Sequence, residues 1–179
     1  MLIYDLNSLR NRIAVVPQKA SLVSGSIRDN LLWGDKNATD EDLLTALQVA
    51  QAKDFVMEKQ GGFDFELSAS GTNLSGGQRQ RLTIARALVR KPDVLIMDDS
   101  LSALDYATDL KLRTALRNIE NPPLTFIVTQ RASSIVHADA IIVLDDGEAV
   151  GVGTHSELLD NCEVYREIYY SQFEKGGAR

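Results

Sequence analysis

This chain of 179 residues has one cysteine, Cys162. A lone cysteine excludes an internal disulfide and fits a reducing compartment. No apolar run is long enough to cross a bilayer, and the first residues lack the succession of a signal peptide. Positive charge is not in excess: 19 Lys and Arg stand against 25 Asp and Glu, a net charge of -6. Nothing therefore favours a nucleic-acid backbone as partner. The basic residues that do cluster, Arg79, Arg81, Arg86, Arg90 and Lys91, share one helical stretch, for which a solvated helix face is the plain expectation. No internal repeat and no low-complexity tract occurs. Also absent is a phosphate loop of the form G-x-x-x-x-G-K-[ST]: Gly71 and Gly76 have the spacing, but Gly77 stands where lysine would be. What remains is ordinary globular composition, 44% hydrophobic and 25% charged, with length enough for a real core.

The patterning gives a strand, a helical block and then an α/β block. "RIAVVPQ", Arg12 to Gln18, predicts a short buried strand ended by Pro17. "TDEDLLTALQVAQAKDFVMEK" predicts one strong helix. Thr39 and Asp42 have capping-box spacing there, with acids in the first turn and an apolar face of Leu43, Leu44, Leu47 and Ala50. A glycine- and serine-rich loop follows, then a helix that starts at Ser75 and stops before Pro92. "DVLIMDD", "LTFIVTQ" and "DAIIVLDDG" are solid apolar runs, which predict strands of a parallel sheet buried on both faces. Asp105 to Ile119 and Ala132 to His137 are the helical stretches between them. "GVGTHSELL" opens a last helix, with Thr154 and Glu157 at capping-box spacing.

Two features point to phosphate chemistry. In "NLSGGQRQRL" a serine cap and two bare glycines open a helix, and a helix start with free N–H groups suits an anion. In "VLIMDD" an apolar strand ends in Asp98 and Asp99, at the sheet edge where α/β proteins bind ligands. A carboxylate there can hold a Mg²⁺ bridging nucleotide phosphates, and a second can orient or deprotonate water. Either feature alone has an ordinary structural explanation. Their order is more informative: Gln18 ending a strand, then "LSGGQ", Asp98–Asp99, "SALD" and "VTQR".

With "LRNRIAVVPQ", "LVSGSIRDNLLWG", "LSGGQRQRLTIARAL", "VLIMDDSLSALD", "AIIVLDDGEAVGVGTHSELL" and "YREIYYSQF", the chain resembles the ATP-binding domain of exporter-type ABC transporters, over essentially its whole length. The resemblance implies an α/β P-loop NTPase fold with an inserted α-helical subdomain. Residues 1–18 and 92–179 would be the remainder of a RecA-like core, and 19–91 the helical subdomain that carries the signature motif. It implies ATP and Mg²⁺ as cofactors and a place on the cytoplasmic face of the membrane. Gln18 would be the Q-loop glutamine, reaching toward Mg²⁺. Ser75, Gly76, Gly77 and Gln78 would form the signature motif, which contacts ATP held by an opposite subunit. Asp98 would be the metal-side Walker B aspartate, Asp99 the catalytic carboxylate, Asp105 a D-loop residue, and Gln130 would occupy the switch-histidine position. "SLVSGSIRDN" would be the surface that receives coupling helices of a transmembrane domain, with Ile27 and Trp33 helping to line it, although core packing is the plainer expectation for either alone.

The chain also departs from the family's pattern. The Walker A loop is missing, which implies an N-terminally truncated domain, poor nucleotide affinity in isolation and exposed core. Aspartate replaces the usual glutamate at position 99 and glutamine the usual histidine at 130, while "LSGGQ" is intact. Ala69 stands where exporters commonly place a glutamate. These substitutions imply the weakly hydrolysing subunit of a heterodimeric exporter, which lends its signature motif to a partner's site. A homodimeric exporter is the alternative. A DNA-maintenance ATPase would need a long coiled-coil insertion between Gln18 and Ser75, where only one short helical block lies.

Overall fold

The computed structural model describes residues 5–174, which form two compact units divided after Val128, residues 5–128 and 129–174. In the first unit, α1 (Leu6–Asn11) leads into β1 (Ile13–Val16). The helical block follows: β2 (Gly25–Ser26), α2 (Ile27–Leu32), α3 (Asp40–Val49), α4 (Lys53–Met57), β3 (Glu66–Leu67) and the long α5 (Gly76–Val89). Then come β4 (Val94–Asp98), α6 (Tyr106–Arg117) and β5 (Leu124–Val128). The second unit contains β6 (Ile141–Asp145), β7 (Glu148–Gly153), α7 (His155–Asn161) and α8 (Glu163–Glu174).

The parallel sheet expected from the apolar runs has the order β1–β4–β5, with Val15 opposite Ile96 and Ile96 opposite Phe126. One of its faces, with Ala14, Val16, Leu95 and Met97, is buried in a core shared with α2, α3, α5 and α6. The other is not covered: Val15, Leu124, Phe126 and Val128 are all at least half exposed. The expectation of strands buried on both faces is therefore corrected to one face. The run "DAIIVLDDG" is corrected too. It forms β6 of an antiparallel hairpin with β7, because Asp146 and Gly147 both take positive φ, as a two-residue hairpin turn requires.

The expected helix over 39–59 divides into α3 and α4. The Thr39–Asp42 capping box forms as its spacing implies. The break follows Ala50, where Gln51 adopts φ 57° and the Ala52 N–H donates to the Leu47 carbonyl at 2.7 Å while the Gln51 N–H donates to Gln48. This Schellman closure ordinarily uses glycine, so a glutamine gave no sign of it. Arg81 supports it by donating to the Gln51 carbonyl at 2.6 Å. The stretch from Ala132 to His137 is corrected from a helix to a single 3-10 turn at Ala132–Ser134. The last helix divides at Cys162, whose backbone is extended.

Two predictions arise from this packing. A Cβ built on Gly34 would lie 2.2 Å from the Arg86 carbonyl oxygen of α5, a contact that must force backbone apart. Gly34→Ala is expected to lower stability by about 2 kcal/mol, read from the midpoint of urea unfolding. Asp42 accepts from Lys91 as well as from Thr39, and these bonds hold its pKa down to about 2. A carboxylate with a depressed folded pKa stabilises above its ordinary value of 3.8 and loses that contribution as pH falls through about 2. Asp42→Asn is expected to lower the melting temperature at neutral pH by a few degrees. It should also lose less stability than the parent between about pH 4 and pH 2.

Candidate functional site

Ser75 caps α5, and its Oγ accepts from the Gln78 N–H at 3.2 Å. Gln78 reciprocates: its Oε1 accepts from the Ser75 N–H at 3.0 Å. The Arg79 N–H already donates to the Ser75 carbonyl. Of the helix-start donors, this leaves the N–H groups of Gly76 and Gly77 without an acceptor among the described residues. Both are on glycine, and neither glycine needs a positive φ. A Cβ on Gly76 would meet nothing within 4 Å, and one on Gly77 would meet the Ala103 carbonyl at 3.4 Å and Leu104 Cδ2 at 4.0 Å, both at contact distance. The fold does not require these glycines, so the bare backbone serves whatever approaches from outside. The helix dipole and two free N–H groups suit an anion. Gln78 has its carbonyl committed to the capping box, which leaves its NH₂ for a ligand.

The basic residues of α5 correct the expectation of a solvated face. Arg79 donates to the carbonyls of Leu74 (2.6 Å) and Gly71 (3.4 Å). Arg81 reaches Gln51 and stacks over Phe55, 4.8 Å from its centroid. Burial pushes the Arg81 pKa down, with Asp105 and Asp54 opposing. These arginines fasten the loops on either side of the helix start.

Asp98 ends β4 at the carboxyl edge of the sheet, exposed. Asp99 follows with φ 41°, a left-handed conformation that aspartate tolerates better than longer side chains. Its N–H donates to the Val128 carbonyl at 2.8 Å, and its own carbonyl accepts from Ser102 Oγ at 2.7 Å, so the backbone is held from both sides. Gln18 Nε2 donates to Asp99 Oδ2 at 3.1 Å, which joins two residues separated by 81 positions. The structure thus brings Gln18 and Asp99 together. With its amide nitrogen so used, Gln18 has its Oε1 left to accept or ligate. Asp98, Asp99 and this amide supply hard oxygen donors, a set that fits Mg²⁺ rather than a softer metal.

Three polar groups were not singled out by their sequence. Gln80, fully buried, donates from Nε2 to the Pro17 carbonyl at 3.3 Å, linking α5 to the residue before Gln18. Ser100, directly after Asp99 and also buried, has an Oγ with no hydrogen-bond partner among the described residues. In the second unit, Gln172 of α8 donates to the Gln130 carbonyl at 2.7 Å and accepts from the Ala132 N–H at 2.9 Å, so one side chain clasps the turn at Gln130. A buried glutamine in a helix with an otherwise apolar inner face was the available signal for Gln80. Gln172 gave none. Asp105 caps α6, accepting from the Thr108 N–H and hydroxyl, which hold its pKa below the usual carboxylate range. Ile27 is fully buried in the core and lines no surface, whereas Trp33 is 66% exposed.

The family model described as ABC transporter matches residues 2–102. An uncharacterized ABC transporter ATP-binding protein of Bacillus subtilis, YfiB, is 44% identical over 170 residues, which cover 95% of this chain and 29% of that protein. A putative multidrug export ATP-binding/permease protein of Staphylococcus aureus is 41% identical over 165 residues, covering 92% and 28%. The chain thus spans less than a third of the length of these curated relatives. A bacterial Atm1-family ABC exporter with ATP bound superposes with a TM-score of 0.88 at 32% identity, over 97% of this chain and 30% of that one. Its α/β fold is that of the ABC ATPases, and the chain belongs to the ABC transporter family.

Proposed function

We propose that this chain is the ATP-binding part of an export ATP-binding/permease protein, and that its signature motif completes an ATP site whose phosphate loop lies in another subunit. The observation that carries this reading is the pair of glycine N–H groups at the head of α5 without an acceptor among the described residues, preceded by a capping serine, with open space at Gly76. The relatives named for multidrug export and the ATP-bound exporter support the assignment to export. In this reading the assembled protein works at the cytoplasmic face of the membrane, with a second ATP-binding domain and a permease part as partners.

At the chain's own site, Gln18 positions the Asp99 carboxylate, and Asp99 orients or deprotonates the attacking water. Asp98 and the Gln18 amide oxygen would hold Mg²⁺, which, when bound, neutralises charge on the phosphate oxygens. Gln130, in place of an imidazole, can donate and accept hydrogen bonds but cannot take up a proton near neutral pH. Aspartate at 99 is one methylene shorter than glutamate. An error of about an ångström in placing a catalytic group costs on the order of a hundredfold in rate. The site therefore binds ATP and hydrolyses it weakly, while the signature motif acts at the partner's competent site. The isolated chain is expected to be inactive.

Asp99→Asn in the assembled transporter tests this asymmetry. ATP turnover is expected to stay within about twofold, because the partner's site carries the flux. A fall of about a hundredfold would instead establish the homodimeric reading, in which both sites depend on Asp99.

A further inference from the structure

The turn that carries Gln130 is held by a side chain 42 residues further along the chain. Gln172 Nε2 donates to the Gln130 carbonyl at 2.7 Å, and its Oε1 accepts from the Ala132 N–H at 2.9 Å. These are the two groups either side of Arg131 that a neighbouring parallel strand would bond. A planar amide matches them because it carries a donor and an acceptor together. The Arg131 N–H in turn donates to Thr129 Oγ1 at 3.0 Å. The peptide unit between Gln130 and Arg131 is therefore fixed at its oxygen and at its nitrogen. Two residues before Gln130, the Val128 carbonyl is taken by the Asp99 N–H. The Gln130 side chain itself is exposed and has no hydrogen bond among the described residues. Its backbone is clamped while its amide is left for something outside.

Stability does not account for this clamp. Gln172 is exposed, so ordering it costs rotamer entropy and each of its bonds returns little. What fixes its place is α8. Tyr165, two helical turns earlier on the same face, is buried with Ile141, Val143, Leu158 and Cys162, and its hydroxyl lies 2.8 Å from His155 Nδ1. The core of the second unit thus sets the helix, and the helix delivers Gln172 to the turn. We propose that Gln172 is a positioning residue for ATP hydrolysis at this chain's own site: it fixes the backbone from which the Gln130 side chain reaches bound nucleotide. This rests on the reading of the chain as an ATP-binding part with a weakly hydrolysing site. Gln172 touches no reactant and acts only through Gln130.

The test is single-turnover hydrolysis of radiolabelled ATP in the assembled transporter with the partner's site silenced, together with ATP affinity at the same site. Gln172→Leu is expected to lower the hydrolysis rate constant about tenfold, less than the cost of a full ångström of misplacement, and to change ATP affinity by no more than about twofold. Gln172→Glu keeps the size and the acceptor but loses the donor, and its carboxylate faces the Gln130 carbonyl, so it should lose as much. Both variants should melt within about 2 °C of the parent. A double-mutant cycle separates positioning from a merely structural contact. Gln130→Ala alone is expected to lower the rate at least about tenfold, and adding Gln172→Leu to it should lower the rate further by no more than about twofold. Losses that multiply, a fall in affinity equal to the fall in rate, or an unchanged rate in Gln172→Leu overturn the inference. If the parent takes up no ATP at this site, the reading beneath it fails and the inference with it. If the parent hydrolyses ATP there and Gln172→Leu does so equally, the inference alone is lost. The signature motif acts at the partner's site, so its role fails separately, if substitution at Gly76 leaves ATP turnover unchanged.

Discussion

Gly76→Val is expected to leave the chain folded and to lower ATP turnover of the assembled transporter about a hundredfold, the scale of losing a preorganised N–H donor to a phosphoryl oxygen. The two halves of this expectation come from one observation. A Cβ at Gly76 meets nothing within 4 Å, so added methyl groups occupy solvent in the isolated chain. The capping box of Ser75 and Gln78 does not involve the Gly76 N–H, so the helix start survives. Glycine at a helical position is also the less favourable residue, so melting should be unchanged or slightly higher. The space that is empty in this chain is where a phosphate must come within hydrogen-bond distance of the backbone, and valine fills it. Normal turnover with a normal melting curve would show that no phosphate approaches this helix start.

Asp99→Glu combined with Gln130→His is expected to raise hydrolysis at the chain's own site about a hundredfold, measured in an assembly whose partner site has been silenced. Restoring the longer carboxylate and a protonatable ring addresses both substitutions at once, and Gln18 remains available to orient the acid. The gain should carry a cost in stability. Asp99 sits at φ 41°, pinned by the Val128 carbonyl and by Ser102, and glutamate tolerates this region less well. About 1 kcal/mol of destabilisation is expected from the backbone, visible in urea unfolding of Asp99→Glu alone. If the double variant hydrolyses no faster than the parent, residues 99 and 130 are not what limits the site.

Local chemistry was legible in the sequence wherever a short-range rule applied. Thr39 with Asp42, Thr154 with Glu157, and Ser75 before two glycines each announced a helix start, and the structure has all three. The runs around Met97 and Ile127 announced a parallel sheet, and the run around Val16, read as a short buried strand, joins it. What periodicity could not convey was which neighbour covers which face. β6 has the same apolar run as β4, yet pairs antiparallel, and only the Asp146–Gly147 turn distinguishes it. The break at Gln51 was hidden because a distant arginine and a Schellman closure stabilise what composition would not. At the candidate site, Gln18 and Asp99 could be named separately, but not the bond between them, which spans 81 positions. Gln172 was beyond reach for the same reason, since its partners lie 40 and 42 residues away.

The uncovered side of β1–β4–β5 has a calorimetric consequence. Val15, Leu124, Phe126 and Val128 are already hydrated in the folded chain, so unfolding exposes less new hydrocarbon than its length would suggest. Since apolar hydration dominates the heat-capacity increment, that increment should fall below the usual range of about 12–15 cal/mol/K per residue. The stability curve of the chain would then be unusually flat with temperature, and its cold side correspondingly shallow.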